Sequence, residues 1–143
     1  CPRPCVKPRI FHTESAEETV ALGERLAAEL PAKAAVLLIG NLGAGKTTLA
    51  KGIVKGLHAA QPDEVSSPTF TLIHEYSPTV YHIDLYRLDH PEQVATLGLD
   101  EIFDRPAVVL IEWGERFPHL MPDDRIEIRL RTTGENSREI EIA

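Results

Sequence analysis

A chain of 143 residues, 43% of them hydrophobic, suits one compact domain with a buried core, which excludes global disorder. No stretch approaches the ~18 consecutive apolar residues of a membrane-spanning helix, and a formal charge of −7 makes the chain a poor candidate for gripping RNA or DNA alone. The cysteines, Cys1 and Cys5, lie in the proline-rich start; one C-x-x-x-C spacing is a weak metal signal, and a cysteine-free remainder fits a reducing cytosol.

In chain order, residues 1–12 are set apart as a flexible lead-in and 13–143 as a single domain. Ser15 followed by Glu18 fits a capping box, so a helix should start there. Leu22, Leu26 and Leu30 recur every four residues until Pro31 stops the pattern. Residues 35–39 are continuously apolar, as a buried strand would be. Ala50, Ile53, Val54 and Leu57 then mark the apolar stripe of a second helix. Residues 59–67 are polar and proline-containing, hence a loop. Segments 69–76 and 79–85 are rich in β-formers around Ser77-Pro78, which predicts a hairpin. Asp89 with Glu92 predicts a helix start, with Pro91 in its first turn and Gly98 near its end. Residues 107–111 form another buried-strand run. Finally 125–130 and 138–142 alternate about a turn at 133–136, a closing hairpin.

Between the strand at 35–39 and the second helix, residues 40–47 read G-N-L-G-A-G-K-T, which fits the phosphate-binding P-loop G-x-x-x-x-G-K-[ST]. Gly40, Gly43 and Gly45 let the backbone take left-handed angles and approach a ligand closely. Successive N–H groups, Ala44 and Thr48 included, would then line an anion-binding concavity at a helix N-terminus. Lys46 would reach the outer phosphates, and Thr47 would offer its hydroxyl to magnesium. The predicted fold class is α/β: a three-layer P-loop NTPase-like domain whose mixed sheet has a parallel core and added antiparallel strands. Ligands of such sheets bind at the carboxyl ends of the strands.

Phosphoryl transfer to water needs a metal and a group that orients the water. Glu112 directly follows an apolar strand, and Asp84 follows V-Y-H-I. Either can contact magnesium or orient the attacking water. Thr69, in S-S-P-T, lies where a switch segment ordered by the γ-phosphate could sit. Trp113 reads as packing and as a fluorescence reporter beside the site. Arg87 reads as an exposed strand-end arginine, and His82 as packed or hydrogen-bonded.

G-N-L-G-A-G-K-T-T, S-S-P-T-F-T-L, Y-H-I-D-L-Y-R-L and L-I-E-W-G-E, in this order and spacing, resemble the TsaE (formerly YjeE) family. The likeness runs from about residue 13 to 142. It implies a small cytoplasmic Mg2+-dependent ATPase of tRNA threonylcarbamoyladenosine synthesis, which modifies the adenosine beside the anticodon. It also implies TsaD-like and TsaB-like partners that hold the tRNA, so contact with tRNA would be indirect. By resemblance, Thr47 and Glu112 hold magnesium, residues 43–48 bind the phosphates, Thr69 belongs to a switch, and Asp84 assists hydrolysis. Ser15 and Arg138 would lie near the base or ribose. Asn41 departs from the family's usual Asp, at a position that mainly contributes backbone. Three other readings stay open. A small-molecule kinase on this loop would need an arginine-bearing lid, for which no arginine cluster is visible. A GTP switch would need an N-K-x-D signature, which the sequence lacks. A non-catalytic nucleotide-dependent interaction module would look the same.

Overall fold

The computed structural model describes residues 9–41, 44–59 and 72–142. Its elements are β1 (Arg9–Thr13), α1 (Ala16–Ala27), β2 (Ala34–Ile39), α2 (Lys46–Gly56), β3 (Ile73–Ser77), β4 (Val80–Asp84), α3 (Pro91–Ala95), α4 (Leu99–Phe103), β5 (Val108–Glu112), β6 (Arg125–Thr132) and β7 (Arg138–Ile142). Two short 3-10 turns, Gly114–Arg116 and Pro118–Leu120, join β5 to β6.

The strands form a single sheet in the order β1-β7-β6-β2-β5-β4-β3. β6, β2, β5 and β4 run parallel, while β1, β7 and β3 are antiparallel additions at the two sides. The parallel strands β2, β4 and β5 are buried almost throughout, because both their faces are covered. Continuous apolar runs are the sequence form of that situation. β6 and β7 bury Ile126, Ile128, Leu130, Ile140 and Ile142, so only one of their faces is apolar.

Helices α1 and α2 cover one face of the sheet. Leu22, Leu26, Leu49, Ile53 and Val54 pack there on Val36, Leu38, Leu110 and the isoleucines of β6 and β7. Burying each such side chain contributes about 1.5–3 kcal/mol. The two helices approach closely because a glycine stands at their contact. A Cβ placed on Gly52 would lie 2.0 Å from the Val20 carbonyl oxygen. On the opposite face α3, α4 and the 3-10 turns supply Val94, Leu99, Ile102, Phe117 and Met121 against Leu37, Ile83, Val109 and Ile111. This third layer covers the β2, β5 and β4 side. Over β6 and β7 the same face carries charges instead, with Glu127 bridging Arg125 and Arg129, and Arg131 paired with Glu139.

Three expectations need correction. The lead-in predicted over 1–12 overlaps a strand: β1 pairs with β7, Ile10 opposite Glu141 and His12 opposite Glu139. Pairing with the far end of the chain leaves no local signal. The helix predicted from Asp89 to near Gly98 is two short helices. His90, not Asp89, caps the first, and Gln93, not Glu92, reaches back to the backbone N–H groups of Asp89 and His90. Gly98, at φ 70°, starts the second helix rather than ending the first, since its left-handed backbone turns the chain. Ser15 does cap α1, accepting the Glu18 N–H, although the Glu18 carboxylate bonds the N–H of Glu14. The predicted loop at 59–67 and the start of the strand predicted at 69–76 fall largely outside the described residues.

Candidate nucleotide site

β2, β4 and β5 end level with one another. Asp84 lies opposite Glu112, and Glu112 opposite Leu38. The P-loop leaves β2 one residue later. The site is therefore at the carboxyl edge of the parallel strands, where the chain passes from β2 into α2.

Gly45 stands immediately before α2 with φ 97°, a left-handed angle that an L side chain resists. It offers no side-chain cap, so the first-turn N–H groups of α2 are not satisfied by a capping side chain. No acidic residue occupies that turn. Such a helix end suits an anion. Ala44 N–H turns back onto the Asn41 carbonyl at 3.0 Å, and Arg138 Nε donates to the Ala44 carbonyl at 3.1 Å, tying the start of β7 to the loop.

Lys46 is 5% exposed, and its Nζ has no hydrogen-bond partner among the described residues. Instead it lies 3.6 Å from the centre of the Trp113 ring. Burial lowers its pKa, against the opposing pull of Glu112, Glu115 and Asp84. Trp113 reaches this position through a backbone at φ 67°, a conformation that costs about 1–3 kcal/mol in a non-glycine residue. Tyr86 tilts against the indole at 5.2 Å.

Asp84 and Glu112 are 2% and 3% exposed. Asp84 Oδ1 accepts the Tyr86 N–H at 2.8 Å, which shapes the turn leaving β4. Arg116 holds the same turn by donating to the carbonyls of Tyr86 and Leu88, each at 2.9 Å. Glu112 Oε2 lies 3.5 Å from the Thr47 hydroxyl and 2.6 Å from His82 Nε2.

The structure thus brings Lys46, Thr47, Asp84 and Glu112 to one end of the sheet. A small groove beside them is lined by Ala16, Thr19, Gly45, Thr48, Asn136 and Arg138. Arg138 and Thr48 therefore face one recess next to the loop, while Ser15 is not among its lining residues and serves as the cap of α1. Gly43 and Thr69 lie outside the described residues. Arg87 is exposed. Glu115 was missed by the sequence reading. Its Oε1 is buried without a partner among the described residues, and burial raises its pKa despite the attraction of Lys46, Arg116 and Arg129. No periodicity announces it, because the turn at Trp113 folds it back toward Lys46.

The Thr47 hydroxyl in the first turn of α2 and the Glu112 carboxylate that β5 brings beside it are hard oxygen donors. They suit magnesium, which takes one or two protein ligands and completes its shell with phosphate oxygens and water. Among the described residues no group of three or more His, Cys, Asp and Glu could hold a metal without such help. The buried Lys46 ammonium, without a hydrogen-bond partner among the described residues, likewise suits a polyanion. No helix among the described residues is long and apolar enough to cross a membrane.

A glycine loop between a central parallel strand and a helix, with an acid at the end of the adjacent strand, defines the P-loop class of α/β folds. Residues 13–140 match the family described as threonylcarbamoyl adenosine biosynthesis protein TsaE. The tRNA threonylcarbamoyladenosine biosynthesis protein TsaE of Nostoc sp. is 44% identical over 133 residues, covering 88% of this chain and 80% of its own. The TsaE of Bacillus subtilis is 39% identical, over 91% and 82% of the two chains. That of Treponema pallidum is 38% identical, over 92% and 97%. The crystal structure of Bacillus subtilis YdiB superposes with a TM-score of 0.76 at 34% identity, covering 96% of this chain and 86% of YdiB. The chain belongs to the TsaE family.

Proposed function

We propose that the protein is the ATP-hydrolysing, Mg2+-dependent subunit of tRNA threonylcarbamoyladenosine synthesis, acting in the cytoplasm with TsaD-like and TsaB-like proteins that carry the tRNA. The observation that carries this reading is Lys46: a buried ammonium without a hydrogen-bond partner among the described residues, at an uncapped helix start, next to Thr47 and two buried carboxylates.

The chain's own groups suffice for binding and orientation. N–H groups of 43–48 would hold the phosphates, and Lys46 would leave the Trp113 face to neutralise the outer ones. Thr47 and Glu112 would hold magnesium. When bound, that ion neutralises charge developing on the β- and γ-phosphate oxygens. Asp84, level with Glu112 on the next strand, would orient the water whose oxygen attacks the γ-phosphorus as the bond to the β–γ bridging oxygen breaks. Thr69 would close over the γ-phosphate as part of a switch. Arg138, Thr48 and Ser15 would border the ribose or base. The formal charge of −7 leaves the tRNA to the partners.

The test is release of inorganic phosphate from ATP and magnesium, with and without TsaD- and TsaB-like partners. Hydrolysis is expected in at least one condition. Its absence in both refutes the reading, and transfer of the phosphate to a metabolite would make the protein a kinase.

A further inference from the structure

His82 is the third polar side chain of the buried carboxylate group, and neither family likeness nor motif gives it a task. It is 0% exposed, on a strand whose other members include Val80, Tyr81 and Ile83. An aliphatic residue would fill that place without desolvating two ring nitrogens. Only one nitrogen is satisfied: Nε2 lies 2.6 Å from Glu112 Oε2, whereas Nδ1 is buried with no partner among the described residues. Leaving such an atom unpaired costs about 1–3 kcal/mol. The imidazole is thus held for what Nε2 does.

An ionised carboxylate only accepts hydrogen bonds, so Nε2 carries the hydrogen. The bond runs from β4 to β5 and engages Oε2, the oxygen that also lies 3.5 Å from the Thr47 hydroxyl. Both contacts fall on one oxygen. They fix the rotation of the carboxylate and leave Oε1 without a hydrogen bond among the described residues, available to a ligand. A glutamate held by nothing else would sample several rotamers and would lose that freedom only on binding the metal.

We propose that His82 is a positioning residue. By donating from Nε2 to Glu112 Oε2 it pre-orients the carboxylate that meets magnesium beside Thr47. This deepens the proposed function and rests on it for the identity of the ion, but the hydrogen bond itself belongs to the nucleotide-free protein. Outer-shell partners of metal-ligating carboxylates are typically worth about 10–100-fold in metal affinity.

The experiment compares wild type, His82→Gln, His82→Phe and Glu112→Ala. In the nucleotide-free protein, imidazole 15N spectra should show a ring N–H at Nε2, slow to exchange and shifted downfield, which moves upfield in Glu112→Ala. A proton on Nδ1 alone, or a resonance indifferent to Glu112→Ala, overturns the proposal even if wild type hydrolyses ATP. Calorimetry of ATP binding at varied magnesium supplies the second readout. His82→Phe should raise the magnesium concentration for half-maximal enhancement about 10–100-fold and leave the magnesium-free affinity unchanged. His82→Gln, whose amide N–H can reach the same oxygen, should recover most of the loss. If a folded His82→Phe keeps the wild-type magnesium dependence, or loses magnesium-free affinity equally, His82 only packs. Should His82→Phe fail to fold, the wild-type and Glu112→Ala spectra decide. Absence of hydrolysis in wild type counts against the proposed function, not against the hydrogen bond.

Discussion

Replacing Lys46 by Met should have opposite consequences for stability and for binding. In the ligand-free protein the ammonium has no hydrogen bond among the described residues, and its contact with the Trp113 face contributes about 0.5–2 kcal/mol. Against that stands its desolvation. The net pKa is lowered from 10.5 even with Glu112, Glu115 and Asp84 nearby, so the charged form is less favourable in the fold than in water. A base with a lowered folded pKa carries this cost in full below that value, and sheds it only as the pH rises toward 10.5. At neutral pH, Lys46→Met is therefore expected to leave the melting temperature of the free protein unchanged or raised, since methionine keeps the aliphatic stem and its packing. Nucleotide binding removes the reason for the cost, because phosphate oxygens would give the ammonium charge-assisted hydrogen bonds. Losing these contributes about 1.5–3 kcal/mol, or roughly 10- to 150-fold in affinity. Isothermal calorimetry is the assay of choice, because Trp113 fluorescence would respond to the substitution itself. Unchanged ATP affinity, or a ligand-free destabilisation matching the affinity loss, would refute the reasoning that this lysine is poised for an anion.

Glu112→Ala should abolish phosphate release while keeping magnesium-free ATP affinity within a factor of about two, a spread smaller than any charge-assisted contact; equal turnover by calibrated phosphate assay would remove Glu112 from its role. Glu115→Gln tests the buried acid. Its pKa is raised from 4.5, so the folded state binds the proton more tightly than the unfolded chain, and stability is lost as pH rises from 4.5 through the raised value. The amide should therefore raise the melting temperature at pH 7 but not near pH 4, and thermal scans at both values check this. Gly52→Ala should destabilise the fold by about 1–3 kcal/mol or more in urea titrations, because the new Cβ would meet the Val20 carbonyl at 2.0 Å and force α1 and α2 apart.

Local features of the chain determined much of this architecture. The apolar runs over 35–39 and 107–111 became β2 and β5, both central and parallel, because only a doubly covered strand tolerates such continuity. Ser15 capped a helix where the capping pattern placed its start, and Lys46 began another directly behind the glycine loop. The closing hairpin followed from alternation about a polar turn. Asp84 and Glu112 were readable as candidates because an acid at the end of a buried strand stands at the edge where parallel sheets bind ligands.

What the tertiary structure decided is which of these groups meet. The pairing of β1 with β7, and the insertion of β5 between β2 and β4, join residues far apart in the chain. No local pattern encodes such pairings, since they depend on which faces remain to be buried. That strand order sets Asp84 level with Glu112 and brings His82 Nε2 to the Glu112 carboxylate. Likewise the left-handed turn at Trp113 lays the indole on Lys46 and folds Glu115 back toward it. The sequence could name a lysine, two acids and a tryptophan. Only the folded chain, by excluding water around them, leaves one ammonium without a hydrogen-bond partner among the described residues and one carboxylate held.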